Sequence, residues 1–421
     1  MLFRSTGFQE YKNVIRPIRA ALKEIQDGGR CVSLILKNRT DYTDLKDLAV
    51  IRWEVSCGKE TVCFGTLPQM EAAPRQSVEA VLKLPELPDK KTVLTLIYIQ
   101  KEDGALTGAG HVLGHDQIVL KEGKVCDSPA AAESGSPVRI REDGQRITLE
   151  NDKFCYVFHK GRGVFESLTY KNRRLLDRPM EYNIWRAPTD NDRNVRHEWE
   201  AAGYDRAMTK VYESGAGMQG EDAVITCRLA LLPVYLERIL DMDAVYTVSA
   251  DGKISFELAC RKNMNMPFLP RFGLRLFLPG EMNAAEYFGY GPQESYMDKH
   301  HGALLGNYCV TAAANHEDYI KPQENGSHYG CDYVTVSSES GVGLMICTEK
   351  PFSFSISEYT QEELAAKAHN FELEKCQSTV LCADYFQSGV GSNSCGPRLA
   401  EQYQMNEEEF KYAGTLTPFM R

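Results

Sequence analysis

The chain has 421 residues, 43% of them hydrophobic and 25% charged, with a formal net charge of -10 and a pI near 5.5. That length exceeds what one hydrophobic core usually organises, so two domains are expected, and an acidic chain with no basic cluster argues against nucleic-acid binding. Thirteen cysteines without a CxxC pair read as thiols rather than a disulfide framework or zinc site. No apolar run reaches membrane-span length and the first thirty residues lack a secretory h-region, so a soluble cytoplasmic protein is expected.

Residues 1–28 carry Phe3, Phe8, Tyr11, Val14, Ile15 and Ile18 in a polar background, partly at helical spacing but interrupted by Gly7 and Pro17. They read as a lead-in segment. Over 29–121 the pattern changes to short β-branched or aromatic runs, such as Cys31–Leu36, Val50–Val55 and Thr61–Gly65, separated by polar turns. Further runs at Ser77–Leu84, Lys91–Gln100 and His111–Leu120 complete the expectation of a small β-sandwich. Residues 122–137 shift to Ala, Ser, Glu, Gly and Pro and form a linker. From 138 to 421 strand-like runs continue, too many for one small sandwich, which predicts a second all-β domain with two large facing sheets. Two helices interrupt it. Glu198–Lys210 is a short one weakened by Gly203, and Thr360–His369 is marked by a Thr360/Glu363 capping box.

Four loop-like stretches concentrate polar side chains. The first, Arg186-Ala187-Pro188-Thr189-Asp190-Asn191-Asp192, leaves a strand at Pro188 and offers side-chain oxygens that can knit a turn. Read as a calcium loop from Asp190 it fails, because Val195 and Ala201 stand where glycine and a bidentate carboxylate are needed. The second runs from Tyr287 through Tyr290, Gly291, Pro292 and Glu294 to Asp298. The third, Pro322–Asp332, contains Glu324, Asn325 and His328. The fourth, Gly389–Pro397, contains Gly391, Ser392, Asn393 and Cys395 and is neither a nucleophile elbow nor a dinucleotide fingerprint. Taken singly, each is a structural loop more readily than a site.

In this order the four stretches resemble the C-terminal part of the family 2 glycoside hydrolases that act as β-galactosidases, and Leu84-Pro85-Glu86-Leu87-Pro88 and Ala109-Gly110-His111 extend the resemblance through the first domain. The resemblance implies an immunoglobulin-like sandwich followed by a large β-supersandwich similar to galactose mutarotases. It also implies that the catalytic glutamates, and the magnesium and sodium that the family uses, lie mainly on a barrel and upstream domains outside this sequence. No catalytic residue, metal ligand or cofactor is then expected in this chain, and a retaining pair of carboxylates about 5–5.5 Å apart is not evident. Arg186, Pro188, Thr189, Asp190, Asn191 and Asp192 are implied to form a loop beside the galactoside pocket, and Gly391, Ser392, Asn393 and Cys395 a pocket rim. Tyr290, Gly291, Pro292, Glu294, Glu324, Asn325 and His328 are read as structural. Where some relatives carry a stacking tryptophan, this rim has Cys395 and Gly396. The partners implied are the barrel, in the same or a separate chain, and galactosides, with homo-oligomerisation open. Two other readings fit the sequence: an aldose mutarotase-like enzyme drawing on His159, His300, His301, His316 or His328 with a carboxylate base, and a carbohydrate-binding or assembly module without chemistry.

Overall fold

A computed structural model describes residues 6–125, 135–391 and 396–421. The described chain divides into two compact units, Met1–Val125 with His300–Asn307, and Cys126–Lys299 with Tyr308–Arg421. Both are built almost entirely of antiparallel strands.

The first unit contains helix α1 (Thr6–Val14), strands β1 (Ile18–Gln26) and β2 (Cys31–Asn38), a short helix α2 (Leu45–Leu48), and strands β3 (Ala49–Cys57), β4 (Glu60–Thr66), β5 (Ser77–Lys83), β6 (Thr92–Gln100) and β7 (Val112–Lys121). A three-stranded sheet, β1-β2-β5, and a four-stranded sheet, β4-β3-β6-β7, make up the sandwich. Alternation decides which residues meet: Val32, Leu34 and Leu36 on β2 and Leu94, Leu96 and Tyr98 on β6 all lie in one core, as a period of two requires. The lead-in reading of residues 1–28 needs correction. Its second half is β1, paired along its length with β2 and burying Ile18 completely. Only one of its side chains is fully buried, so an edge strand carries little periodic signal.

The second unit begins with β8 (Arg139–Asp143), β9 (Arg146–Glu150), β10 (Phe154–His159), β11 (Val164–Tyr170) and β12 (Arg173–Arg174), which form a five-stranded sheet. A much larger sheet follows the order β13-β18-β23-β22-β24-β17-β16-β15-β14, with β19, β20 and β21 branching from β22. Its strands are β13 (Arg178–Asn183), β14 (Met208–Gln219), β15 (Asp222–Leu232), β16 (Leu240–Val248), β17 (Ile254–Lys262), β18 (Arg271–Pro279), β19 (Ala284–Gly291), β20 (Leu304–Thr311, of which only the part from Tyr308 belongs to this unit), β21 (Ser327–Ser337), β22 (Val342–Ser357), β23 (Ser378–Gln387) and β24 (Glu409–Met420). The expected pair of large sheets is thus one twelve-stranded and one five-stranded sheet among the described residues. β16 alternates strictly, sending Leu240, Met242, Ala244, Tyr246 and Val248 inward. β18 and β23 are buried on nearly every residue, the pattern of strands covered on both faces.

Both predicted helices are shorter than expected. Helix α3 (Val195–Ala201) ends where Gly203 takes a positive φ of 75°; a Cβ there would meet Pro233 at 2.6 Å, and the chain beyond Ala207 becomes β14. Helix α4 (Gln361–Ala366) starts at Thr360, whose side chain accepts the Glu363 amide, as the capping signal predicts. Among the described residues ten cysteines are free thiols, with Cys227, Cys260, Cys331 and Cys382 buried. No helix among the described residues is long and apolar enough to cross a membrane.

Candidate functional site

Beyond β13 the chain runs through Ile184, Trp185, Arg186 and Ala187, all buried, then turns at Pro188 into a 3-10 turn over Asp190–Arg193. Arg186 is fully buried and needs acceptors for a planar fork of donors. Asp192, equally buried, accepts from its Nε at 3.1 Å and Nη2 at 2.8 Å. The carbonyls of Ser388 and Gly389 accept the remainder, the latter at 3.0 Å. The guanidinium also lies over the Trp199 ring, 5.3 Å from its centroid, and Trp199 Nε1 donates to the Phe268 carbonyl. Asp192 further accepts the Thr189 amide at 2.9 Å. One arginine therefore closes its own loop and ties it to the segment after β23.

The other stretches join the same cluster. Asn191 Nδ2 donates to the Val390 carbonyl at 2.8 Å, the Asp190 amide donates to Gln323 Oε1 at 2.8 Å, and the Glu324 amide donates to the Ala187 carbonyl at 3.0 Å. The Asp298 carboxylate accepts the Val390 and Gly391 amides at 3.0 and 2.8 Å. That approach explains two glycines, because a Cβ on Gly389 or Gly391 would lie 2.5 or 3.0 Å from Asp298 Oδ2.

Beneath these loops sit further buried charges. Arg271 bonds Asp384 through both Nε and Nη2 and reaches Glu324 at 2.8 Å, while Gln387 bridges Glu324 and Ser327. Burial works against the Arg271 charge, but Asp384 and Glu324 hold its pKa above the ordinary value. Burial likewise lifts the Asp384 carboxyl above its usual range even beside Arg271. Glu294 accepts from Lys299, Tyr319, the Gly326 amide and Tyr296 at 2.7, 2.6, 3.0 and 3.2 Å. Burial opposes its charge, and these donors more than offset that, so its pKa falls below the usual range. His328 is fully buried between Tyr287 OH at 2.9 Å and Asn315 Oδ1 at 2.8 Å, and burial pushes it down to about 4. Asn325 bridges the Gln323 carbonyl and the Glu317 amide. Tyr290 stacks on Tyr329, and Pro292 follows a cis peptide bond from Gly291.

The structure thus brings together all four predicted stretches and sorts them by exposure. Arg186, Asp192, Glu294, Glu324 and His328 are buried, and their polar atoms hold loops in place rather than face an open cleft. Asp190, whose side chain is 68% exposed with Lys321 at 3.9 Å, forms the accessible edge with exposed Gly391 and half-buried Pro188, Thr189 and Asn191. Ser392, Asn393 and Cys395 lie outside the described residues. Among the described residues no group of three or more His, Cys, Asp or Glu side chains is arranged to hold a metal. Sequence reasoning did not single out Arg271 or Asp384, and it carried Asp298 only as the end of the second stretch. The available signal was a charge inside an apolar run, as in Leu269-Pro270-Arg271-Phe272 and Cys382-Ala383-Asp384-Tyr385, since a buried charge needs a partner. A groove of about 850 Å³, lined by residues such as Tyr212, Arg228, Asp241 and Arg261, contains none of the four stretches.

A family model described as the beta-galactosidase small chain matches residues 150–416, the span that holds the whole cluster. The chain belongs to this family. A second model, beta-galactosidase domain 4, matches residues 34–121 in the first unit of this family member. A beta-galactosidase from Actinobacillus pleuropneumoniae is 42% identical over 403 residues, covering 96% of this chain and 39% of the relative. One from Staphylococcus xylosus is 28% identical, covering 97% of this chain and 40% of the relative. This small-chain family member therefore spans about two fifths of the length of these curated relatives. Among solved structures, a galactose 1-epimerase from Lactobacillus acidophilus NCFM is similar over 67% of this chain and 98% of its own, at 10% identity and a TM-score of 0.38.

Proposed function

We propose that this chain is the non-catalytic C-terminal portion, or small subunit, of a β-galactosidase that hydrolyses terminal β-D-galactosides such as lactose. Its Asp190 loop acts as a lid, and the segment around Gly391 as a rim, for an active site on a barrel that this sequence does not contain. The observation that carries the reading is the clamp of Arg186 on Asp192, Ser388 and Gly389, which fixes the two exposed edges, Asp190 and Gly391, relative to each other in a small-chain family member. Loops held this way can exclude water and orient a sugar without supplying a nucleophile. The clustered carboxylates support a non-catalytic role, because Asp192, Asp384, Glu324 and Glu294 are buried against cations or N–H and O–H donors, whereas a retaining pair must flank a glycosidic bond. Magnesium and sodium would act on the barrel side. Cytoplasmic residence belongs to the same reading and is supported by the ten free thiols among the described residues.

Mixing the chain with a separately made β-galactosidase barrel chain tests the proposal through o-nitrophenyl galactoside turnover. Association with a gain in turnover is expected. In that complex Asp190→Ala should leave assembly intact and lower kcat/KM about tenfold, on the scale of lost positioning by a remote loop. Unaltered kinetics would remove the lid assignment, and no association would remove the subunit reading.

A further inference from the structure

Helix α1 is amphipathic in the inverted sense. Its polar side faces its own unit: Thr6 and Asn13 are buried, Asn13 Nδ2 donates to the carbonyls of His115 and His301, and Asn13 Oδ1 accepts the His115 amide. Glu10 accepts from His301 Nδ1 at 2.8 Å and from the Gly302 amide at 2.7 Å. Its apolar side faces outward. Phe8, Tyr11 and Ile15 fall at i, i+3 and i+7, with Val14 one turn beyond Tyr11, and are 65%, 59%, 55% and 37% exposed respectively. The Ile15 amide still donates to the Tyr11 carbonyl at 3.0 Å, so the stripe is continuous to its last member. A globular protein ordinarily turns such a stripe to its core. A nine-residue helix that, with the residue after it, orders two aromatic and two β-branched side chains against water gains nothing from them until something covers them.

We propose that this stripe is the docking surface for the portion of a β-galactosidase that this chain does not span. The inference rests on the subunit reading given above and adds where the subunit is held. The chain matches 96% of itself but only 39% of the Actinobacillus pleuropneumoniae relative, leaving about three fifths of that protein as the complementary partner. Exposed Phe and Tyr anchors flanked by aliphatic side chains have the composition of an interface centre rather than of a solvated rim. The polar bonds of Asn13 and Glu10 hold the helix on its own unit before the partner arrives, which lowers the ordering cost of docking.

The test uses the full chain and, as partner, the stretch of the Actinobacillus pleuropneumoniae β-galactosidase that it does not match. Association is followed by sedimentation and calorimetry, and turnover by o-nitrophenyl galactoside hydrolysis. Phe8→Glu and Tyr11→Ser should each weaken association by at least tenfold, while Leu106→Ser, at a still more exposed apolar residue outside the helix, should leave it unaltered. The melting temperature of each free variant should match the parent, because these side chains are exposed in the free chain, and that separates docking from folding. If the parent binds and both helix variants bind equally well, the docking surface is refuted and the subunit reading stands. If the parent itself does not bind, both fall. If the variants instead abolish a dimer of this chain and leave partner binding intact, the occupant is a second copy and the proposal is overturned.

Discussion

Asp192→Ala isolates the clamp at the centre of the candidate site. The Arg186 and Asp192 side chains are both fully buried, so no solvent screens them, and they share bonds of 3.1 and 2.8 Å. Removing the carboxylate leaves a buried guanidinium with only the Ser388 and Gly389 carbonyls and deprives the Thr189 amide of its acceptor. Stranding one partner of a buried pair costs about 3–5 kcal/mol, and the two remaining carbonyls favour the lower end, about 3 kcal/mol. For a unit of this size that corresponds to a fall in Tm of roughly 6 °C. Equilibrium urea unfolding read by tryptophan fluorescence is the assay, since Trp185 precedes Arg186 and Trp199 lies under its guanidinium. In the cycle with Arg186→Leu, the double variant Arg186→Leu/Asp192→Ala should be more stable than the two single losses sum to, by about 2 kcal/mol, because no charge is left stranded. A loss under about 1 kcal/mol for Asp192→Ala, or strict additivity, would refute the clamp as the element holding this loop.

Two further predictions concern the same cluster. Burial lowers the His328 pKa from 6.5 to about 4, so neither state binds the proton above pH 6.5, and between 6.5 and 4 only the unfolded state does. Stability should therefore fall as pH drops through that window, by at most about 3 kcal/mol, and level off below it. Urea titrations at several pH values check this, with His328→Gln expected to flatten the His328 contribution; an unchanged slope in that variant would disprove the assignment. Gly389→Ala would place a Cβ 2.5 Å from Asp298 Oδ2, forcing that carboxylate off the Val390 and Gly391 amides. A loss of about 2 kcal/mol is expected from overpacking and lost hydrogen bonds, whereas Gly396→Ala, with open space around its Cβ, should change little in the same unfolding assay.

Local sequence determined many of the strands and turns, though not the edge strand β1 or the start of β14. The two-residue alternation of Val32, Leu34 and Leu36, or of Leu240, Met242 and Ala244, decides which face is buried whatever lies opposite, and Thr360 with Glu363 marks a helix start through bonds made within one turn. The same local character made Arg186–Asp192 legible as a knitted loop, since the ion pair spans only six residues. Tertiary structure alone decided the rest. Arg186 meets Gly389 across 203 positions, Arg271 meets Asp384 across 113, and Asp298 meets Gly391 across 93; each buried charge announces in sequence that it needs a partner, but not which strand supplies it. Helix α1 shows the same limit from the opposite side. Its period is readable in Phe8, Tyr11 and Ile15, yet only the bonds from Asn13 and Glu10 to residues near 115 and 301 reveal that the apolar side points away from its own core.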